Sequence, residues 1–410
     1  MGASLRYMDD ITIIGGGFGG LVAAITCAEA GVGVRLYEAH GVLGGRARTT
    51  SPPFRANLGP HVVYDDGPAW AWLTARGLAG DEPRAPLRGL RFRYRGELRR
   101  TPPPVVVKAI KLLRRNAPVE LDFRTWVAER CGDKAAEVLS HGAGVLSFDA
   151  DPGRLSAAFV WERLLRTVQV PPAARYVVGG WKTLADRLAT RARQLGVAIE
   201  LASPVDTLPR GRPVIVATEL DAARRLLGDD GLRWEGARTA LLDVGLERRR
   251  GDPFVVSDLD ESGWVERYSL PDPSLAPPGH SLLQAQIGLT AGETLEPGVS
   301  RIEALLDLAY RDWRSREVWR RRSVVDGRSG ALDLPGTTWR DRPAVARGDA
   351  VFLAGDMVAA PGLLSEVSFN SAVEAAGLAL AEVRRATQSG GATSMPTRAS
   401  TGRRESAGRM

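Results

Sequence analysis

The sequence predicts an α/β fold in which three separated stretches of chain share one sheet and carry an inserted α+β domain between them. Three observations support this. A β-branched run, Ile11-Thr12-Ile13-Ile14, leads through a glycine cluster into a helical run over 21–30 and then a second strand over 34–38, which makes a βαβ unit. The same alternation returns at 179–236 and at 346–386. The chain has 410 residues, 44% hydrophobic and 25% charged, enough for two or three domains with a large buried core.

In chain order, the sheet domain takes 8–85, 179–236 and 346–386. Its middle stretch has a helix over 184–195 and strands over 197–201 and 213–216, an order suited to a return to the same sheet. Its last stretch has a strand over 351–354, then Gly355-Asp356, then an apolar helix over 366–384. The inserted domain takes 86–178 and 237–345, with strand candidates at 91–94, 240–246 and 281–287 among amphipathic helices. Ser300 and Glu303 have the spacing of a capping box for a helix near 301–320, with Ile302, Leu305, Leu306 and Ala309 at helical intervals. Residues 105–115 mix apolar side chains with Lys108, Lys111, Arg114 and Arg115. They could form an amphipathic helix resting on a membrane surface, although a core-facing helix with solvated cations is the commoner result of such a pattern. Residues 387–410, rich in Ser, Thr, Gly and Arg, offer little apolar surface to offset ordering and are expected to be a disordered tail.

The net charge of +7 is partly a property of that tail, which has Arg398, Arg403, Arg404 and Arg409 against Glu405. No basic element is interleaved with stacking aromatics, which argues against nucleic-acid binding. Cys27 and Cys131 are far apart and outside any C-x-x-C pair, so no disulfide framework, thiol redox centre or metal site is expected. Residues 1–10 have no apolar signal core or twin arginine, and no run of 18 apolar residues occurs, so a cytoplasmic location is expected.

Gly15, Gly17 and Gly20 satisfy G-x-G-x-x-G, with Gly16, Phe18 and Gly19 between them, directly after a strand and opening a helix. The first glycine permits the turn, the second lets a pyrophosphate approach the backbone, the third lets helix pack on strand, and the helix N-terminus supplies N–H donors. Glu38, with Ala39 next to it, lies 18 residues beyond Gly20 at the end of the second strand, where a carboxylate can accept hydrogen bonds from ribose hydroxyls. This unit alone does not separate FAD from NAD, because both present an adenosine ribose and a pyrophosphate.

The next residues carry a resemblance. Gly44, Gly45 and Arg46, within Leu43-Gly44-Gly45-Arg46-Ala47-Arg48, place a double glycine and an arginine just after the second strand. Here the chain resembles the flavin-dependent amine oxidase and phytoene desaturase superfamily, and the likeness recurs along 11–380. Asn57-Leu58-Gly59-Pro60-His61 resembles the segment that passes near the flavin ring. Gly179-Gly180-Trp181 with Ser203-Pro204-Val205 is similar to the segment leading to an adenine-contacting valine. The strand ending in Ala217 is similar to one that closes over the cofactor. Gly355-Asp356 with Pro361-Gly362-Leu363-Leu364 resembles the C-terminal flavin motif, in which the Asp binds the ribityl chain and the next helix points its N-terminus at the pyrimidine.

The resemblance implies a Rossmann-like FAD-binding domain with an inserted α+β substrate domain, and noncovalent FAD, since no cysteine comes after Cys131. With one G-x-G-x-x-G, the electrons are expected to go to oxygen, a quinone or another acceptor. Family amine oxidases tend to have a lysine near the flavin, whereas this chain has none after Lys182, which favours desaturation of a small apolar substrate such as an isoprenoid. An amine or amino-acid oxidase, a redox-neutral isomerase and a non-catalytic flavin carrier are the alternatives. Of His40, His61, His141 and His280, only His61 falls in a segment that the resemblance places near the flavin. It is the candidate for substrate contact or proton transfer, against a structural role. Glu366, opening the last helix, is expected mainly to favour the helix dipole.

Overall fold

Five strands, Asp10–Ile14, Gly33–Tyr37, Ala198–Glu200, Val214–Val216 and Val351–Leu353, form one parallel sheet with Asp10–Ile14 at its centre. Ile11, Ile13, Val214, Ile215 and Val216 are buried, as expected for parallel strands covered on both faces. The structure is a computed structural model and describes residues 10–59 and 61–392. Helices Phe18–Glu29, Trp181–Gln194 and Ser365–Ala392 pack about this sheet. Ala23 and Ala24 of the first helix and Ala372, Ala375, Ala376 and Ala379 of the last are fully buried, and their small side chains allow close approach. Gly15 adopts φ +106°, and a Cβ on Gly20 would stand 1.8 Å from the Gly15 carbonyl oxygen, so both positions demand glycine.

The chain between these segments builds a seven-stranded sheet in the order Glu317–Ala331, Gly236–Glu247, His280–Gly288, Gly263–Glu266, Val255–Asp258, Leu90–Tyr94, Glu97–Arg99. Its pairings are antiparallel except between Val255–Asp258 and Leu90–Tyr94, which run parallel. The Leu295–Ala309 helix covers a core of Leu242, Val244, Leu283 and Ile287. A helical layer over 123–168 has its own core around Phe123, Trp126 and Trp161. The two-stranded pair Val63–Tyr64 and Ala174–Arg175 joins the early chain to the end of that layer.

Two expectations are corrected, and that for 105–115 holds in its core-facing form. The helix placed near 301–320 runs Leu295–Ala309 with Thr294 as its N-cap, and Ser300 lies inside it, donating to the Glu296 carbonyl at 3.1 Å. Pro297 in the first turn is the start signal, since proline is tolerated where N–H groups lack helical partners. Beyond this helix and the short turn Trp313–Arg316, the chain enters the long Glu317–Ala331 strand. Residues 105–115 form two short pieces, Pro104–Val107 and Lys108–Leu112, with Ala109 and Leu112 buried and the four cations exposed. The last helix continues to Ala392, past the tail boundary expected at 386; the rest of that tail, 393–410, lies outside the described residues. No helix among the described residues is long and apolar enough to cross a membrane.

Candidate functional site

The carboxyl ends of four parallel strands deliver the expected residues to one edge: Gly15 after Ile14, Glu38 and Ala39 after Tyr37, Ala217 after Val216, and Gly355-Asp356 shortly after Leu353. The central Asp10–Ile14 strand is flanked by Gly33–Tyr37, to which the chain runs next, and by Val214–Val216, to which it returns much later, and ligands of open α/β sheets bind at such switch points. The Phe18–Glu29 helix starts from Gly17 with no side-chain cap, so its first N–H groups remain donors for an anion. Phe18 is held edge-on between Trp181, with centroids 4.8 Å apart, and Phe369, at 5.5 Å. Gly19 backs onto Ala354 and Ser368.

Glu38 is buried against this loop. Its Oε2 accepts from the Gly16 N–H at 2.7 Å and its Oε1 from the His40 N–H at 2.9 Å, with His40 Nδ1 at 2.7 Å. Ala39 is exposed beside it. No local sequence signal marks His40 as a partner of Glu38; only the turn after the strand brings its ring to the carboxylate. The Gly44 N–H donates to the Gly16 carbonyl at 2.8 Å, so the double glycine of Gly44 and Gly45 lies against the first loop. Arg46 Nη2 stands 2.7 Å from Asp356 Oδ1. Burial acts to lower the Arg46 pKa, but the Asp356 carboxylate more than reverses this and holds it above its ordinary value. The Ala217 N–H donates to the Ile14 carbonyl at 2.7 Å, and Val205 is half-buried against the core of this domain.

Asn57 ties several segments together. Its Oδ1 accepts from the Trp181 N–H at 2.9 Å and from Thr49 Oγ1 at 3.0 Å, while its carbonyl accepts from Gln284 Nε2 at 3.0 Å and from Arg321. Gln284 and Arg321 converge on Asp243 of the strand between theirs, at 2.9 and 2.7 Å. The inserted sheet thus anchors the segment leading through buried Gly59 to His61; Pro60 lies outside the described residues. His61 meets the Trp181 ring edge-on at 5.0 Å, and its Nε2 is buried with no hydrogen-bond partner. It lines a cleft with Asn57, Tyr176, Trp181 and Tyr268. Burial, with the charge of Arg46 adding to it, holds the His61 pKa well below the ordinary value, so the ring is neutral at neutral pH. Behind the cleft, the Tyr176 hydroxyl donates to Glu266. Burial pushes the Glu266 carboxyl up to about 8, against the opposing effect of that hydrogen bond.

At the C-terminal segment, Ser371 Oγ accepts from the Gly355 N–H at 3.0 Å and lies 3.2 Å from its carbonyl, which fixes the turn that presents Asp356. Gly362, Leu363 and Leu364 lead into the last helix, with Leu364 at φ +54°, a conformation uncommon for leucine. Glu366 accepts from the Leu363 N–H at 2.9 Å and pairs with Arg166 Nη1 at 2.5 Å. Its buried carboxylate therefore fastens the helix start to the inserted domain. A second, small cavity, with about 10 Å³ of room for a water-sized sphere, is bounded by Asp356, Leu364 and Val367 on one side and by Arg163 and Arg342 on the other.

Residues 13–76 match a family described as an NAD(P)-binding Rossmann-like domain. A carotenoid 3,4-desaturase of Haloarcula japonica is 49% identical over 53 residues, 13% of this chain and 11% of that protein, so the match spans about a tenth of that relative's length. An oxidoreductase from Methanosarcina mazei superposes with a TM-score of 0.71 at 16% identity, covering 89% of this chain and 99% of the other. Cyclohexylamine oxidase from Brevibacterium oxydans does so with a TM-score of 0.69 at 17% identity, covering 93% and 100%. These likenesses establish the fold, a Rossmann-like α/β domain with an inserted α+β domain.

Proposed function

We propose that the chain is an FAD-dependent oxidoreductase that dehydrogenates a small apolar substrate, passing electrons to oxygen or a quinone. The observation that carries this reading is the Arg46–Asp356 contact, which joins the double-glycine segment to the C-terminal segment beside the glycine loop. The residues fit the cofactor. A Cβ placed on Gly17 would meet nothing nearer than the Gly45 Cα at 3.9 Å, which leaves the uncapped helix start approachable by a pyrophosphate. Arg46 would steady a phosphate, Glu38 the adenosine ribose and Asp356 the ribityl chain, and the helix start that follows Leu363 and Leu364 would favour negative charge on the pyrimidine. FAD bound there supplies a hydride acceptor.

The protein's part is to position substrate, exclude water and accept a proton. Trp181, Tyr176 and Tyr268 give the His61 cleft aromatic walls. A neutral His61 whose Nε2 has no other partner is free to take the proton released as a double bond forms. The absence of lysine after Lys182 weighs against amine oxidation. Anaerobic addition of an isoprenoid hydrocarbon, and separately of a primary amine, to the FAD-loaded protein tests the reading. Bleaching of the oxidised-flavin band by the hydrocarbon is expected, whereas bleaching only by the amine would reassign the chain to amine oxidation.

A further inference from the structure

The cavity behind Asp356 holds two buried arginines whose donors are not all used. Arg163, 5% exposed, stacks its guanidinium 3.4 Å from the Phe159 ring centroid and donates Nη1 to the Phe159 carbonyl at 3.0 Å, while its buried Nε has no partner. Among the described residues no carboxylate pairs with it. Arg342, 4% exposed, holds Asp333 through Nε to Oδ1 at 2.9 Å and Nη2 to Oδ2 at 2.8 Å, leaving its buried Nη1 without a partner. Both line the same cavity, whose other walls include Leu146, Phe159, Leu364 and Val367.

Charge balance sets what this cavity accepts. Arg342 pairs with Asp333, and Asp356 in the cavity wall pairs with Arg46, whereas Arg163 has no carboxylate in contact among the described residues and feels Glu162 and Asp333 only at a distance. Burial lowers its pKa only to about 10, so it remains charged near neutrality. A buried cation and unpaired N–H donors are costly unless an anion meets them, and one positive charge calls for a monoanion rather than a phosphate dianion. Asp356 and Ser147 also line the cavity, the Ser147 hydroxyl donating to the Ala143 carbonyl, and the other walls are apolar. We propose that this cavity binds the carboxylate of an otherwise apolar substrate, with Arg163 as the charge partner and Arg342 Nη1 as a second donor. The inference rests on the oxidoreductase reading above and narrows its substrate class to acidic lipophiles. The other anion within reach is the reduced cofactor's own pyrimidine, and the experiment separates the two.

Equilibrium dialysis of the FAD-loaded protein with farnesoate and with methyl farnesoate tests the proposal without any variant. The acid is expected to bind at least about tenfold tighter than the ester, as for a buried charge pair lost on one side. In Arg163→Gln that preference should fall to about twofold with FAD content unchanged, and Arg163→Lys should keep most of it. Equal binding of acid and ester, no binding of the acid, or a preference surviving Arg163→Gln would overturn the proposal. So would loss of FAD from Arg163→Gln without an acid preference in the parent, which would give the arginines to the cofactor. If the purified protein takes up no FAD yet prefers the acid, the oxidoreductase reading fails while the cavity assignment stands.

Discussion

Arg46 and Asp356, 310 residues apart, meet at 2.7 Å and bridge the first and last segments of the sheet domain across the mouth of the glycine loop. Because the Arg46 side chain is 42% exposed, this contact adds little to stability, on the order of 1 kcal/mol or less. Its effect should fall on the cofactor. Asp356→Ala is expected to keep the parent's thermal midpoint within a few degrees but to lose FAD on desalting, read as the flavin-to-protein ratio.

Two glycines of the loop should separate folding from binding. In Gly20→Ala the new Cβ would fall 1.8 Å from the Gly15 carbonyl oxygen, a backbone clash expected to cost several kcal/mol and to yield little folded protein. In Gly17→Ala the Cβ meets only the Gly45 Cα at 3.9 Å, so denaturant unfolding should shift by about 1 kcal/mol or less while FAD affinity falls at least tenfold. Equal loss of stability in both variants would count against a phosphate site at Gly17.

Glu366→Gln removes the charge facing Arg166 while keeping an acceptor for the Leu363 N–H. Glu366 is 3% exposed, and breaking such a buried pair is expected to cost about 3 kcal/mol, partly relieved because Arg166 also contacts Asp66. A thermal scan should show the midpoint several degrees lower, and Glu366→Asp should not restore it, since the shorter side chain cannot span both contacts.

Glu266 gives a stability that depends on pH. In the folded chain burial keeps its proton until about pH 8, whereas an unfolded chain loses it near the ordinary value of 4.5. Between those values the folded state binds more protons, so this contribution is complete below 4.5 and declines as pH rises toward 8. The slope approaches about 1.4 kcal/mol per pH unit. Glu266→Gln, which stays neutral, should flatten that decline in urea midpoints measured from pH 5 to 8.

The nucleotide half of this architecture is legible in the sequence because its signals are local. The β-branched run at Ile11 to Ile14, the glycines after it and Glu38 eighteen residues past Gly20 all act within one βαβ unit. The inserted half is less so, because long-range pairing decides it. The arginine-rich stretch Arg320-Arg321-Arg322 lies in a strand whose Arg321 reaches the Asn57 carbonyl and is opposite Asp243 in the register, a pairing set 78 residues away in the chain. No local pattern announces that Gln284 and Arg321 fix the segment before His61, or that Tyr176 and Glu266 meet across 90 residues. The burial of Arg163 and Arg342 is likewise hidden: Arg163 is on the Ala157–Val168 helix and Arg342 just after the short Trp339–Asp341 turn, and only the packing of these distant segments encloses them.

The absorbance spectrum of the purified protein, taken before and after incubation with FAD and removal of excess cofactor, tests the central claim most directly. Oxidised-flavin bands at about one FAD per chain are expected, and they should be lost in Gly17→Ala. A parent protein that folds yet shows no flavin bands after incubation would contradict the assignment of this chain as an FAD enzyme.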